Sequence, residues 1–267
     1  MKYQLGPREA DLIFTLERQG RSHFTVDDAR QILATSDEAL RVILWRLASK
    51  GRIQPVKRGH YLLVPARAGY ETRWSEHVFS FIDEMLGDYY VGYWTALGYW
   101  QMTEQTPRTV FVASTKRRRN FTYSETVPVK FVSLSSHKFF GWTTESIGDR
   151  EFRISDREKT VVDSLDLPQH AGGILEVAKG LVQDLDLSRM VAYADMLGNM
   201  AVHKRLGYLM DLLRPNPPER VMAALRSSIS PGYSWLDPTA PKECLETSTE
   251  WRLKVNVDPR RIRSGFA

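Results

Sequence analysis

The 267-residue sequence is 42% hydrophobic and carries 37 Lys plus Arg against 32 Asp plus Glu, a formal net charge of +5 with a pI near 9.3. That apolar content suits a folded protein with at least one sizeable core, and the length favours two domains. A lone Cys244 excludes an internal disulfide framework or cysteine-rich zinc site, and Arg8, Glu9 and Asp11 interrupt the N-terminal segment, so the expectation is a cytoplasmic protein with no membrane span.

The positive balance is concentrated at the start, where residues 1–66 hold eleven Lys or Arg and seven Asp or Glu, +4 of the total. Ala10, Leu12, Ile13 and Leu16 recur at helical spacing between Arg8 and Gln19, and Gly20 supplies a C-terminal stop. Thr25 is a good N-cap for a short second helix, with Asp27 and Asp28 in its first turn and Ala29, Ile32 and Leu33 as its apolar face. Ser36 caps a third helix reaching about Lys50, in which Leu40, Ile43, Leu44 and Leu47 form one buried stripe before Gly51. "RIQPVKRGHYLLV" then reads as a hairpin turning at Lys57, Arg58 and Gly59. Three helices and a hairpin predict an N-terminal winged helix-turn-helix over residues 1–66, which sets its third helix in the major groove and its wing on the flanking backbone.

With the apolar stripe at the back, Glu38, Val42, Trp45 and Ser49 form the front of the third helix, flanked by Arg41 and Arg46. The expected DNA-binding residues are Ser36 and Arg41 at the helix start, Arg46 further along, and Lys57, Arg58 and His60 on the wing as phosphate contacts. The bland alternative is the same architecture used for protein contacts, with solvated cations.

Apolar periodicity lapses at residues 67–72, the expected linker, and residues 73–267 predict a larger mixed α+β domain, strands first and helices after. "YYVGYWTALGYW" reads as a strand running into a helix, "TVFVAST", "VPVKFVSL" and "EFRIS" as strands, and Ser155 with Glu158 as a capping box. Between two of these strands stand Lys116, Arg117, Arg118 and Arg119, four adjacent cations that repel one another unless a polyanion relieves them. They form either a second electropositive surface for DNA, RNA or an acidic partner, or a solvated loop.

Two enzyme patterns are weighed against this. Gly172-Gly173 followed by Asp184 and Asp186 imitates a metal-dependent nucleotidyltransferase, but no β-prone run precedes the glycines and a helical stripe fills the interval. "DREK" at 156–159 has the wrong spacing for a nuclease, since Glu158 and Lys159 are adjacent. No metal-ligand spacing links the six histidines, and Tyr89, Tyr90, Tyr93, Trp94, Tyr99 and Trp100 suit core packing better than base stacking. The expectation is a protein without catalysis, cofactor or metal.

The blocks "TALGYWQMTEQTPRTVFVASTKRRR", "ISDREKTVVDSLDLPQHAGG" and "HKRLGYL" closely resemble AbiEi-type antitoxins of bacterial abortive-infection (type IV) toxin-antitoxin operons, and the resemblance runs from the winged helix to about Leu213. It implies an N-terminal domain that represses its own operon at inverted repeats, two copies on the operator, and a C-terminal domain that neutralises a nucleotidyltransferase-like toxin, directly or indirectly. It also places a basic run at 116–119 and includes the glycine pair. A winged-helix regulator without a toxin remains the alternative from a different class, and a monomer in solution is compatible with both.

Overall fold

In the computed structural model of the protein, the described residues are 4–64, 77–124, 126–148, 150–214 and 216–264. The chain is a mixed α+β protein that divides into two compact units, one from residues 1–87, 120–129 and 147–151, the other from 88–119, 130–146 and 152–267. The expected linker at 67–72 lies outside the described residues. None of the described helices is long and apolar enough to cross a membrane.

In the first unit, α1 (Pro7–Arg18), β1 (His23–Thr25), α2 (Val26–Leu33) and α3 (Asp37–Ser49) precede β2 (Ile53–Lys57) and β3 (His60–Leu63). Local signals set most of these boundaries. Pro7 opens α1, where its missing N–H costs nothing, and Gly20 follows the helix at φ +65°. Thr25 caps α2 by accepting from the Asp28 N–H at 3.1 Å while the Asp28 carboxylate accepts from the Thr25 N–H, and Ser36 caps α3 at 3.4 Å. Leu12, Ile13, Leu16, Phe24, Leu40, Leu44 and Leu47 interlock in one buried core. Each such side chain stabilises the fold by about 1.5–3 kcal/mol through burial.

Strand β1, which the sequence reading did not anticipate, pairs antiparallel with β3 in register Thr25↔His60, giving the order β1-β3-β2. Helix α4 (Val78–Met85), also unanticipated, joins this unit, as do β6 (Phe121–Tyr123) and the antiparallel first residues of β7 (Val127–Ser133). Glu84 on α4 accepts from the His23 N–H at 2.8 Å and the Ser22 hydroxyl at 2.6 Å and pairs with Arg150 at 3.0 Å.

In the second unit the sheet order is β7-β5-β4-β9-β8, with β5 (Val110–Ser114), β4 (Tyr90–Val91), β9 (Arg150–Ser155) and β8 (Trp142–Ile147). Helix α5 (Tyr93–Tyr99) follows β4 directly, as expected, so a helix interrupts the strands. A helical layer then builds on α6 (Arg157–Asp166), which is buried almost all round, with α7 (Ile174–Leu181), α8 (Leu187–Leu197), α9 (Met200–Leu213) and α10 (Glu219–Ser227). The expected Ser155 cap of α6 is corrected to Asp156, whose carboxylate accepts from the Lys159 N–H at 2.8 Å, while Ser155 turns inward to Thr160. Short strands β10 (Ser234–Trp235), β12 (Leu253–Val255) and β11 (Glu246–Ser248) and helix α11 (Pro259–Ser264) complete the unit.

Trp251 in this region lies against Gly207 of α9 so closely that an added Cβ would fall 2.1 Å from its ring. Its indole N–H donates to Asp211 at 2.6 Å. Tyr89, Tyr90 and Tyr93 are fully buried, so these rings serve packing and offer no platform for bases.

Candidate nucleic-acid interface

Helix α3 directs Leu40, Ile43, Leu44 and Leu47 into the core of the first unit, which forces Glu38, Val42, Trp45 and Ser49 to the opposite face. Trp45 is 69% exposed and Val42 46%. Arg41 and Arg46 are exposed on the two flanks, and neither guanidinium has a hydrogen bond or ion pair with a described residue. Ser36, exposed at the helix start, is committed through its side chain to the cap. Lys50, at the far end, is turned back to Glu9 and to the carbonyl of Gln4.

The hairpin turn sits beside this helix. Its tip is Arg58-Gly59, with Gly59 at φ +78° and its carbonyl accepting from the Val26 N–H at 3.0 Å, which ties the turn to the start of α2. Arg58 is exposed and makes no hydrogen bond or ion pair among the described residues. A groove of about 540 Å³ runs between helix and hairpin, lined by Arg41, Trp45, Pro55, Arg58 and Tyr61 among others. Asp37 also lines it, held by Arg30 at 2.9 Å while Arg30 pairs with Asp27 as well, so the groove carries both signs, with Arg41 and Arg58 as its cations that have no ion pair among the described residues.

The other two wing residues are placed differently from the sequence expectation. Lys57 is half-buried, its ammonium 2.9 Å from the Met85 sulfur and 4.7 Å above the Phe121 ring, because α4 and β6 pack against the base of the hairpin. His60 stacks on His23, its Nδ1 2.9 Å from the His23 Nε2. Burial, followed by nearby Lys57, holds the His60 imidazole below its ordinary range, so it is neutral at pH 7. Burial and then the His60 charge push His23 down to about 4. Arg58 is thus the cation that the hairpin tip displays.

Residues 116–119 follow β5 in the second unit as an irregular segment. Lys116, Arg117 and Arg119 are exposed, Arg118 is half-buried with an unpartnered Nε, and none of the four has an ion pair with a described residue.

The glycine pair also lies in the second unit. Both glycines have positive φ, +80° and +86°, and each admits a close neighbour: Trp94 and Glu176 at Gly172, and the Asp237 carboxylate at Gly173. Asp237 accepts from the Ile174 N–H at 2.9 Å. The chain's own carboxylate therefore occupies the helix N-terminus that a nucleotidyltransferase would present to a triphosphate. Asp184 and Asp186 lie in the α7–α8 turn and not on a strand, and Asp186 caps α8 by accepting from the Arg189 N–H at 3.0 Å. Ser188 lies inside α8. No group of three or more His, Cys, Asp or Glu side chains that could hold a metal occurs among the described residues.

No family model matches the sequence, and no curated protein matches it. Its fold is similar to that in the crystal structure of RV2827C protein from Mycobacterium tuberculosis, with a TM-score of 0.66 over 97% of this chain and 94% of that one. The two sequences are 13% identical, so the likeness is one of fold alone.

The exposed Trp45 is a further signal that the sequence carries at this face. A tryptophan opposite a helix's apolar stripe is anomalous for a solvated face, and its position follows from helical periodicity without coordinates.

Proposed function

We propose that the first unit is a winged helix-turn-helix that binds duplex DNA, with α3 in the major groove and the Arg58-Gly59 turn against the flanking backbone. The observation that carries this reading is the element order α1-β1-α2-α3-β2-β3 together with a solvent-facing α3 whose flanking Arg41 and Arg46, and the neighbouring Arg58, have no ion pairs among the described residues. Arg41 and Arg58 line one groove and would reach the same stretch of duplex from either side. Lys57 and His60 then shape and brace the hairpin and are not leading phosphate contacts. The exposed cations at 116–119 are a candidate second contact for a polyanion.

The resemblance to AbiEi-type antitoxins extends the proposal to a repressor of its own operon, binding as two copies at an inverted repeat, whose second unit neutralises a nucleotidyltransferase-like toxin. Buried Tyr90, Lys159 and Asp163 and the internal capping of α7 by Asp237 fit a scaffold role for that unit.

The test has two arms. The full chain is titrated onto its own promoter fragment and onto an unrelated fragment of equal length, and it is co-expressed with the adjacent reading frame in a growth assay. Preferential retention of the promoter and rescue of growth are expected. Retention without rescue would leave a winged-helix regulator with no toxin, and no preference for the promoter would remove the repressor reading.

A further inference from the structure

The outward face of α3 is more apolar than a helix facing only water. Val42 and Trp45 stand one turn apart on that face, 46% and 69% exposed, as a ridge. Large exposed apolar side chains grouped together mark interaction sites, whereas scattered ones need no explanation. Around the ridge lie Arg41, Arg46 and Arg58, none with an ion pair among the described residues, and Glu38 stands exposed one turn before Val42. The Ser49 hydroxyl, next along the face, is used internally, donating to the Trp45 carbonyl at 2.8 Å.

The rim decides what can cover the ridge. A second copy docking through the same face would gather six of these arginines against two Glu38 carboxylates, in a contact between chains of net charge +5 each. A polyanion relieves those charges. An α-helix with its side chains is about 10–12 Å across, and the major groove is about 12 Å wide. Along that groove, base edges offer hydrogen-bonding groups, for which Val42 has no use, and one apolar feature, the thymine 5-methyl group. We infer that Val42 and Trp45 read thymine methyl groups in the major groove and are specificity-determining residues of the DNA interface, an inference that rests on the DNA-binding function proposed above.

The experiment removes the methyl group from the ligand. The full chain selects duplexes from a random pool, and the selected sequence is remade with deoxyuridine replacing thymine one position at a time, which leaves every hydrogen-bonding group in place. At one or more positions the wild-type affinity should fall by about three- to tenfold, the scale of one buried methyl group. Val42→Ala or Trp45→Ala should bind the thymine and uracil forms alike at those positions. Both side chains are exposed, so unchanged thermal melts are expected, and the uracil effect on the wild type does not depend on either variant folding.

Tight, sequence-selective binding with no methyl-sensitive position overturns this inference and leaves DNA binding standing. Failure to enrich any duplex sequence overturns both. Conversion of a dimer to a monomer by Trp45→Ala, with uracil discrimination unaffected, would make the ridge a contact between copies and also overturn the inference.

Discussion

Helices α3 and α6 handle charge in opposite ways. On α6, Lys159 is fully buried and Asp163 nearly so; the two pair with each other and with the Tyr90 hydroxyl, beneath the Phe140 ring at 4.4 Å. Nearby, Asp166 accepts from Lys138 and Asn199, both at 2.6 Å, and Arg205 donates to the Leu165 carbonyl at 2.7 Å, at the end of the helix. Burial raises the Asp163 carboxyl above its ordinary range even with Lys159 beside it, and lifts the Tyr90 hydroxyl well above its own. On α3 the cations Arg41 and Arg46 stand in solvent with no hydrogen bond or ion pair to a described residue. Charges on α6 are consumed in holding the fold, while those on α3 contribute little to it and remain available to a ligand.

Breaking the α6 cluster should have the largest effect. Lys159→Ala strands a buried carboxylate and is expected to cost about 3–5 kcal/mol in urea unfolding of the second unit. Replacing both partners, Lys159→Met with Asp163→Leu, should recover much of that loss. A Lys159→Ala protein of unchanged stability would erase the contrast between the helices.

The next effect lies in the first unit and depends on pH. His23 is depressed to about 4 from an ordinary 6.5, so its folded form resists protonation. Its contribution is complete above pH 6.5 and is lost as pH falls toward 4, on the order of 2–3 kcal/mol. His60, Asp28, Arg21 and Lys57 surround it, and the depressed His60 acts in the same direction. Thermal melts between pH 7.5 and pH 4.5 should show the loss, and His23→Phe should flatten it.

Asp186→Ala should cost about 1 kcal/mol through its lost cap, whereas Asp184→Asn should cost almost nothing. A magnesium-dependent nucleotide transfer abolished by both substitutions would revive the catalytic reading. Smallest of all, Arg41→Ala and Arg58→Ala should change stability by no more than about 0.5 kcal/mol in the same unfolding assay.

Legibility in the sequence followed the range of the interactions. The α1–α3 periodicity, the Thr25 and Ser36 caps and the hairpin glycine are local, and each appears where the pattern places it. Strand β1 is three residues long and exists because β3 pairs with it, so no run of its own announces it. Ser155 and Asp156 are both competent caps, and the choice between them was made by Thr160, which bonds Ser155 in the interior. At the candidate interface, Arg41, Arg46 and Arg58 are displayed as helical and turn geometry require. The internal contacts of Lys57 and His60 were not legible, because their partners, Met85, Phe121 and His23, lie 28, 64 and 37 positions away. The Asp237 carboxylate at Gly173 is equally remote in sequence, which is why the glycine pair resembled a phosphate cradle.

The most direct test is the dependence of duplex affinity on salt, measured by fluorescence anisotropy for the full chain and for an Arg41→Ala, Arg58→Ala double variant. Each phosphate neutralised contributes about 0.9 to the slope of log affinity against log salt concentration, so the double variant should lose nearly two units, while Lys57→Ala should lose markedly less than one. Equal slopes for the wild type and the double variant, or binding that ignores salt, would contradict a DNA interface built on α3 and the hairpin turn.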